Sequence, residues 1–437
     1  MKELVQLNSD PIEMESRYSL LKKGIWLYFF LLIFEGALRK WVLPELATPL
    51  LIVRDPIAVF MLIKSMQYGL LKPNLYVLLS WIISFISFYA TLLFGHGDVM
   101  VALYGVRILV LHFPLIFVIG KTFNRNDVIK VGQILLWIHI GMTLLVAIQF
   151  FSPQTAWVNR GVGGDMEGSG FGATEEFYRV PGTFSFTTGL SFFYGFVAAY
   201  IFYFWLDNRE SISKGLLIIS TLCLLAAIPL SVSRTVFFEV ILSGVFTVLA
   251  AGRTPKVLFQ VIGSLIVGIC IFWVLSNMAF FQIATGVFSQ RFTDANSSEG
   301  GVEGVLIDRF LGGMVGALTG DLNFGFFGKG LGMGTNAGAQ LMTGKVSFLI
   351  SEGEWGRLIG EMGLFLGFMV IVIRVLLTIR LSIVSWYLVK KFNYLPWLLC
   401  SFGIILLLQG PWGQPTTLGF SVFSGGLILA ASREKDE

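Results

Sequence analysis

The 437-residue sequence predicts an all-α polytopic membrane protein, with about twelve transmembrane helices and one long extracytoplasmic loop. Three observations predict it. Hydrophobic residues make up 55% of the chain and charged residues 13%, with a mean hydropathy of +0.78, which overrides the two or three soluble domains that the length alone suggests. Apolar runs of about 20 residues, enough for a helix to cross ~30 Å of hydrocarbon, recur along almost the whole length. Between about Asn277 and Gly367 the succession breaks into a polar, glycine-rich, charge-dotted stretch, too long for an ordinary connection in a bundle.

Met1 to Lys23 is polar, without an apolar core or cleavage site, and is expected to be a retained cytoplasmic tail. Spans are expected at 24–42, 47–66, 74–94, 99–119, 129–151, 184–206, 213–230, 235–251, 257–276, 354–376, 394–409 and 417–431, with an external loop at 152–183, a long periplasmic loop at 277–353 and a cytoplasmic tail at 432–437. With the first tail inside, Lys64, Lys72, Lys121, Arg125, Lys130, Arg209, Lys214, Arg253, Lys256, Arg374, Arg380, Lys390, Lys391, Arg433 and Lys435 all fall on the cytoplasmic side, as the positive-inside rule asks. The only lysines within or beyond the membrane are Lys40, Lys329 and Lys345. The far side is therefore biased to arginine, whose planar fork suits phosphate and carboxylate. In the long loop, 280–292 and 302–318 interrupt apolar residues with Gln282, Gln290, Arg291, Asp308 and Arg309, as short helices lying on a membrane surface do.

Cys223, Cys270 and Cys400 are far apart in apolar segments, a pattern of packed thiols and not of a disulfide framework or zinc site. His112 and His139 are lone histidines in apolar spans, and the long loop has none, so no histidine metal centre is expected; a cofactor and a nucleic-acid partner are not expected either. A net charge of +4 decides little about partners.

Ionisable side chains at bilayer depth cost roughly 2.5–3.5 kcal/mol each on insertion scales, so each needs a partner or a purpose. Glu35 and Arg39 are one helical turn apart, and Arg54-Asp55-Pro56 offers a second local pair. Arg107 has no acid within one turn, which is consistent with a long-range contact or a cavity-facing role and equally with simple packing against another helix. Arg234 ends the turn Ser231-Val232-Ser233-Arg234, and Arg179 precedes the sixth span. The run from Gly328 to Gly338 lacks the Gly-Lys-Ser/Thr ending of a P-loop and follows no strand, so it predicts backbone passing close to a neighbouring helix or a lipid head group. Glu352, Glu354 and Arg357 place two carboxylates and a guanidinium at the start of an apolar helix. That suits proton transfer from a hydroxyl, and equally the preference of a helix N-terminus for acidic residues. Tyr178, Trp355 and Trp412 are candidates either to stack on sugar faces or to sit in an interfacial aromatic belt.

Arg309, the run Phe327-Gly328-Lys329-Gly330-Leu331-Gly332-Met333-Gly334-Thr335-Asn336 and then Glu361-Met362-Gly363-Leu364-Phe365-Leu366-Gly367 resemble the long periplasmic loop of the O-antigen ligase and polymerase superfamily. There an Arg opens an amphipathic helix, a Gly-x-Gly turn follows and a Glu-x-Gly-x-x-Gly helix re-enters the membrane. The likeness extends to Arg179 and to Arg234 in its Ser-x-Ser-Arg turn. It implies a GT-C-like membrane glycosyltransferase acting on undecaprenyl-diphosphate-linked glycans, inverting and metal-independent, with Arg179, Arg234 and Arg309 on the diphosphate. Arg357 and Arg107 are further candidates for it, and Glu352, Glu354 and Arg309 are the candidate catalytic residues. Ligases commonly have a His about nine residues before the Glu of Glu-x-Gly; Glu352 stands there, which favours a repeat-unit polymerase over a ligase. The implied partners are the lipid-linked donor and acceptor, a chain-length regulator and a flippase. A transporter using Arg107, Glu35 and Asp55 is the reading from a different class.

Overall fold

The computed structural model describes residues 11–72, 74–172, 177–207, 211–298, 315–317, 325–344 and 349–433, apart from the side chains of 11–17, 280 and 294–298. Among these residues the chain is nearly all helical, with fifteen α-helices and one two-residue strand pairing. Eight helices are long and apolar enough to cross a membrane: Leu75–Phe94, Val99–Thr122, Arg125–Phe151, Thr187–Leu206, Arg234–Ala251, Pro255–Ser276, Glu354–Val389 and Pro415–Ser432. Lys214–Leu230 and Leu395–Gln409 are shorter apolar helices in the same bundle. Buried share separates hub from rim: 89% of Thr187–Leu206 lies inside the bundle, whereas Pro255–Ser276 has no fully buried residue and packs on its neighbours through partly buried Val257, Val261 and Phe272.

Several helix starts are set by short polar side chains that satisfy otherwise orphaned backbone donors. Asn74 accepts from Val77 N, Asp98 from Val101 N and Ser213 from Leu216 N. Asn124 and Asp127 form a reciprocal capping box.

Three expected spans take a different form. The stretch expected as a second span, 47–66, is two 3-10 turns, Pro44–Leu46 and Pro49–Ile52, followed by a helix from Asp55 to Gln67 of only 13 residues. At 1.5 Å per residue that helix is about 20 Å long, short of a bilayer. Pro44 and Pro49 each remove a backbone donor, and Arg54 and Asp55 are drawn into a buried network described below. The fourth span is broken at its middle by a π turn, Ile108–His112, directly after Arg107. Such turns are frequent at functional positions.

The largest departure is at the re-entry after the long loop. The helix Glu354–Val389 carries Gly363 at φ 77° and ψ 168°, which only glycine tolerates easily, and the chain reverses there. A Cβ at Gly367 would meet Leu358 O at 2.7 Å, a distance impossible in one straight helix. Glu354 to Met362 thus forms a short arm folded against the long helix that follows, so the expected span 354–376 is a helical hairpin. Arg374, expected at the cytoplasmic side, instead reaches Glu354 at 2.6 Å.

Candidate functional site

The expected site residues do not meet at one place; they separate into three groups. Arg309 and Asp308 lie outside the described residues.

The first group is a basic cluster. Arg179 pairs across the small strand ladder with Phe171, whose ring it covers at 4.6 Å, and its Nε is enclosed without a partner. Burial, and then the charges of Arg291 and Arg234, push the Arg179 guanidinium down to about 10. Arg291 and Arg234 thus both lie within electrostatic reach of Arg179. Arg234 is delivered by the turn before its helix. Val232 there is fully buried at φ 49°, a left-handed conformation that strains a β-branched residue, and the Ser191 and Ser233 hydroxyls lock the turn at 2.9 Å.

Arg291 was anticipated only as a polar break in an amphipathic stretch. It lies on the helix Ala279–Ser298, flanked by Phe288 and Phe292. Those rings pack edge-on against Phe237, one turn after Arg234, at 6.0 and 5.7 Å. Phe237, Phe288, Phe292 and Phe272 line a cavity of about 760 Å³ beside the unburied helix Pro255–Ser276, with Ser276, Gln282, Thr285 and Ser289 as its polar members. The signal in the sequence was the arginine between two phenylalanines spaced one turn apart.

The second group is the carboxylate network. Arg357 donates from Nε and Nη2 to both oxygens of Glu354 at 2.8 Å and from Nη1 to Glu361 at 2.6 Å. Arg374 donates to Glu354 at 2.6 Å and to the carbonyls of Leu407 and Gly410 at 2.8 Å. Glu361 also accepts from Gly334 N at 2.8 Å. The glycine run lies across this arm, with Lys329 N on Gly360 O and Gly330 N on Glu361 O. Its other side meets Thr91, His96 and Val101, and the close approach of Gly332 to Val101 O leaves no room for a side chain.

The cavity between Glu354, Arg357, Glu361 and Trp412 is about 10 Å³, no more than a single water occupies. Glu354 and Arg357 are therefore structural partners of each other: the first is not free to act as a base, nor the second to hold a phosphate. Glu352, two residues earlier, is exposed. The stacking role of Trp412 and Trp355 also fails on burial. Trp412 is 2% exposed with Arg374 over its ring at 3.9 Å, and Trp355 is 8% exposed with its Nε1 on Leu408 O. Tyr178, at 38%, stays accessible.

The third group surrounds Arg107, which finds its partner 52 residues away. It donates from Nη1 to both oxygens of Asp55 at 2.6 and 2.8 Å, while His112 Nε2 meets the same carboxylate at 2.9 Å. Tyr28 closes the chain on His112 Nδ1 at 3.2 Å. Glu35 is shared between Arg54 at 3.3 Å and Arg39 at 3.6 Å. Arg107 is thus engaged apart from the Arg179 cluster.

Fold and site together give a helical bundle with eight helices long and apolar enough to cross a membrane, and with Arg234 and Arg291 on the two helices whose Phe237, Phe288 and Phe292 line an aromatic groove. Scans against family models and against curated proteins return no match.

Proposed function

We propose that the chain is a membrane glycosyltransferase that polymerises undecaprenyl-diphosphate-linked repeat units of O-antigen, capsule or exopolysaccharide. The reaction is placed on the outer face of the bacterial inner membrane, with the long loop periplasmic. One observation carries the reading: three arginines stand beside an aromatic groove flanked by an unburied helix, which matches an anionic head on an apolar tail. The acceptor hydroxyl oxygen attacks the anomeric carbon, and the bond to the diphosphate breaks with its electron pair leaving on the phosphate oxygen. Arg179, Arg234 and Arg291 neutralise that leaving charge. The hydroxyl proton passes to a carboxylate, and Glu352 is the exposed one.

Purified enzyme supplied with undecaprenyl-diphosphate oligosaccharide is expected to lengthen the glycan without nucleotide sugar or metal, and Arg234→Ala to stop it. No lengthening with a range of authentic repeat units refutes the reading. A ligase keeps the same donor site and is recognised by a product on a different acceptor. A transporter is favoured by one observation, the meeting of Glu35, Asp55 and Arg107 in a single network. It requires that Arg107→Ala abolish substrate movement while Arg234→Ala and Glu352→Ala are tolerated.

A further inference from the structure

The helix Arg234–Ala251, 18 residues and about 27 Å long, starts at Arg234 and leads at its other end into Gly252 and Arg253. There its closing turn meets the end of the helix Glu354–Val389. The Arg253 guanidinium lies 5.2 Å from the ring centroid of Trp386. The ammonium groups of Lys390 and Lys391 lie 5.9 and 5.5 Å from the ring of Tyr387, the next residue along. Three cations are thus gathered over two neighbouring rings. Trp386 is itself held by Trp397 at 4.7 Å, which stacks on Phe246 at 4.5 Å and donates from Nε1 to Phe246 O at 2.9 Å. Arg253, Lys390 and Lys391 are all exposed, and among the described residues no carboxylate pairs with Arg253 or Lys390.

The turn after the lysines carries a second observation. Phe392 N donates to Val389 O and Asn393 N to Leu388 O, both at 3.1 Å, the paired closure that ends a helix on one left-handed residue. That residue is Phe392, at φ 57°, where glycine is the favoured occupant. Its ring is 69% exposed, so the strained position gains little burial within the chain. Charge bias across a membrane accounts for basic residues at this end of the bundle, but not for an exposed phenylalanine where glycine fits. Away from the turn, Leu376, Ile379 and Ile383 are exposed and form one stripe with the exposed Tyr387, spaced three and four residues apart. A cationic end therefore passes directly into a surface suited to hydrocarbon.

We propose that Arg253, Lys390 and Lys391, with Tyr387 and Phe392, form a binding site for an anionic phospholipid. The cations take the head-group phosphate, Phe392 enters the boundary between head groups and acyl chains, and one chain lies along the stripe from Tyr387 to Leu376. A soluble anion would have no use for the phenylalanine or the stripe. The site lies at the opposite end of its helix from Arg234 and stands separately from the transfer of sugars.

The test is binding of dioctanoyl phosphatidylglycerol to the purified full-length chain in a neutral detergent, with dioctanoyl phosphatidylcholine and glycerophosphoglycerol as controls. Three cations predict that wild type binds phosphatidylglycerol about a hundredfold more tightly than phosphatidylcholine. Most of that preference is lost between about 0.1 and 1 M salt. Arg253→Gln/Lys390→Gln/Lys391→Gln removes the preference, while Arg179→Gln/Arg234→Gln keeps it. Phe392→Gly relieves the left-handed strain, so its melting temperature equals or exceeds that of wild type while its affinity for phosphatidylglycerol falls about fivefold. Equal binding of the two lipids by wild type overturns the proposal, as does a wild-type preference in the triple variant. Glycerophosphoglycerol binding as tightly as the lipid also overturns it, by assigning the cations to a soluble anion. Undiminished affinity in Phe392→Gly does the same, and decides the matter if the triple variant does not fold.

Discussion

Replacing Arg179 with glutamine separates a cation kept for binding from one kept for folding. Its guanidinium is pushed down to about 10 by burial first and by Arg291 and Arg234 second, so its charged form is disfavoured in the empty protein. At about 1.4 kcal/mol per pH unit, the depression is worth ~3 kcal/mol for a group cut off from water. Arg179 is half-buried, and solvent screening together with the lost contact on Phe171 reduces the net gain on substitution to roughly 1 kcal/mol. Arg179→Gln is therefore expected to raise the melting temperature of ligand-free protein slightly, on the order of 1–2 °C, and to remove most of the stabilisation that diphosphate confers on wild type. Thermal unfolding in detergent, followed by tryptophan fluorescence with and without diphosphate, reads both effects. The pH dependence has a definite sign. A cation whose folded value is depressed loses its proton first in the native state, so above about 10 the unfolded chain binds more protons and native stability rises with pH. Diphosphate affinity falls through the same window. A variant that melts lower than wild type and keeps its full protection by diphosphate refutes the reasoning.

Further outcomes follow from the other groups. Glu354→Gln leaves Arg357 and Arg374 buried against a neutral amide and is expected to cost about 3–5 kcal/mol, measurable as lost detergent stability, while Glu352→Gln leaves stability unchanged and impairs only the glycan product. Gly363→Ala forces a side chain into a left-handed position against Phe326 O and is expected to destabilise by about 2 kcal/mol or more, which limited proteolysis of the re-entrant arm detects. Phe288→Ala strips an apolar wall from the groove and weakens binding of a polyprenyl diphosphate about tenfold. Because the effect acts on the chain and not the head group, affinity for inorganic diphosphate stays as in wild type.

Much of this architecture is legible without coordinates because membrane insertion responds to the local sum of side-chain transfer energies. Composition and hydropathy place apolar helices at Leu75–Phe94, Arg125–Phe151 and Pro415–Ser432 to within a few residues. The glycine spacing anticipates close backbone approach in the 328–338 run, since only residues without a Cβ fit there. The reversal at Gly363 escaped because a hydrophobic run reads the same whether it crosses once or doubles back. The second expected span failed for the opposite reason: an apolar stretch was counted although its prolines and charges prevent a long helix.

Partner choice is what the order of residues could not decide. Arg107 looked unpaired because its carboxylate is 52 positions away, and Glu354 looked catalytic because Arg374, 20 positions on, is brought to it only by the hairpin. Arg291 gained significance through its approach to Arg179. Electrostatic energy depends on distance in space, and distance along the chain predicts it only within a helical turn. Residue content alone therefore determined that this chain builds an apolar helical bundle, and the tertiary structure decided which side chains meet: Arg107 with Asp55, Arg357 and Arg374 with Glu354, and Arg179 near Arg234 and Arg291.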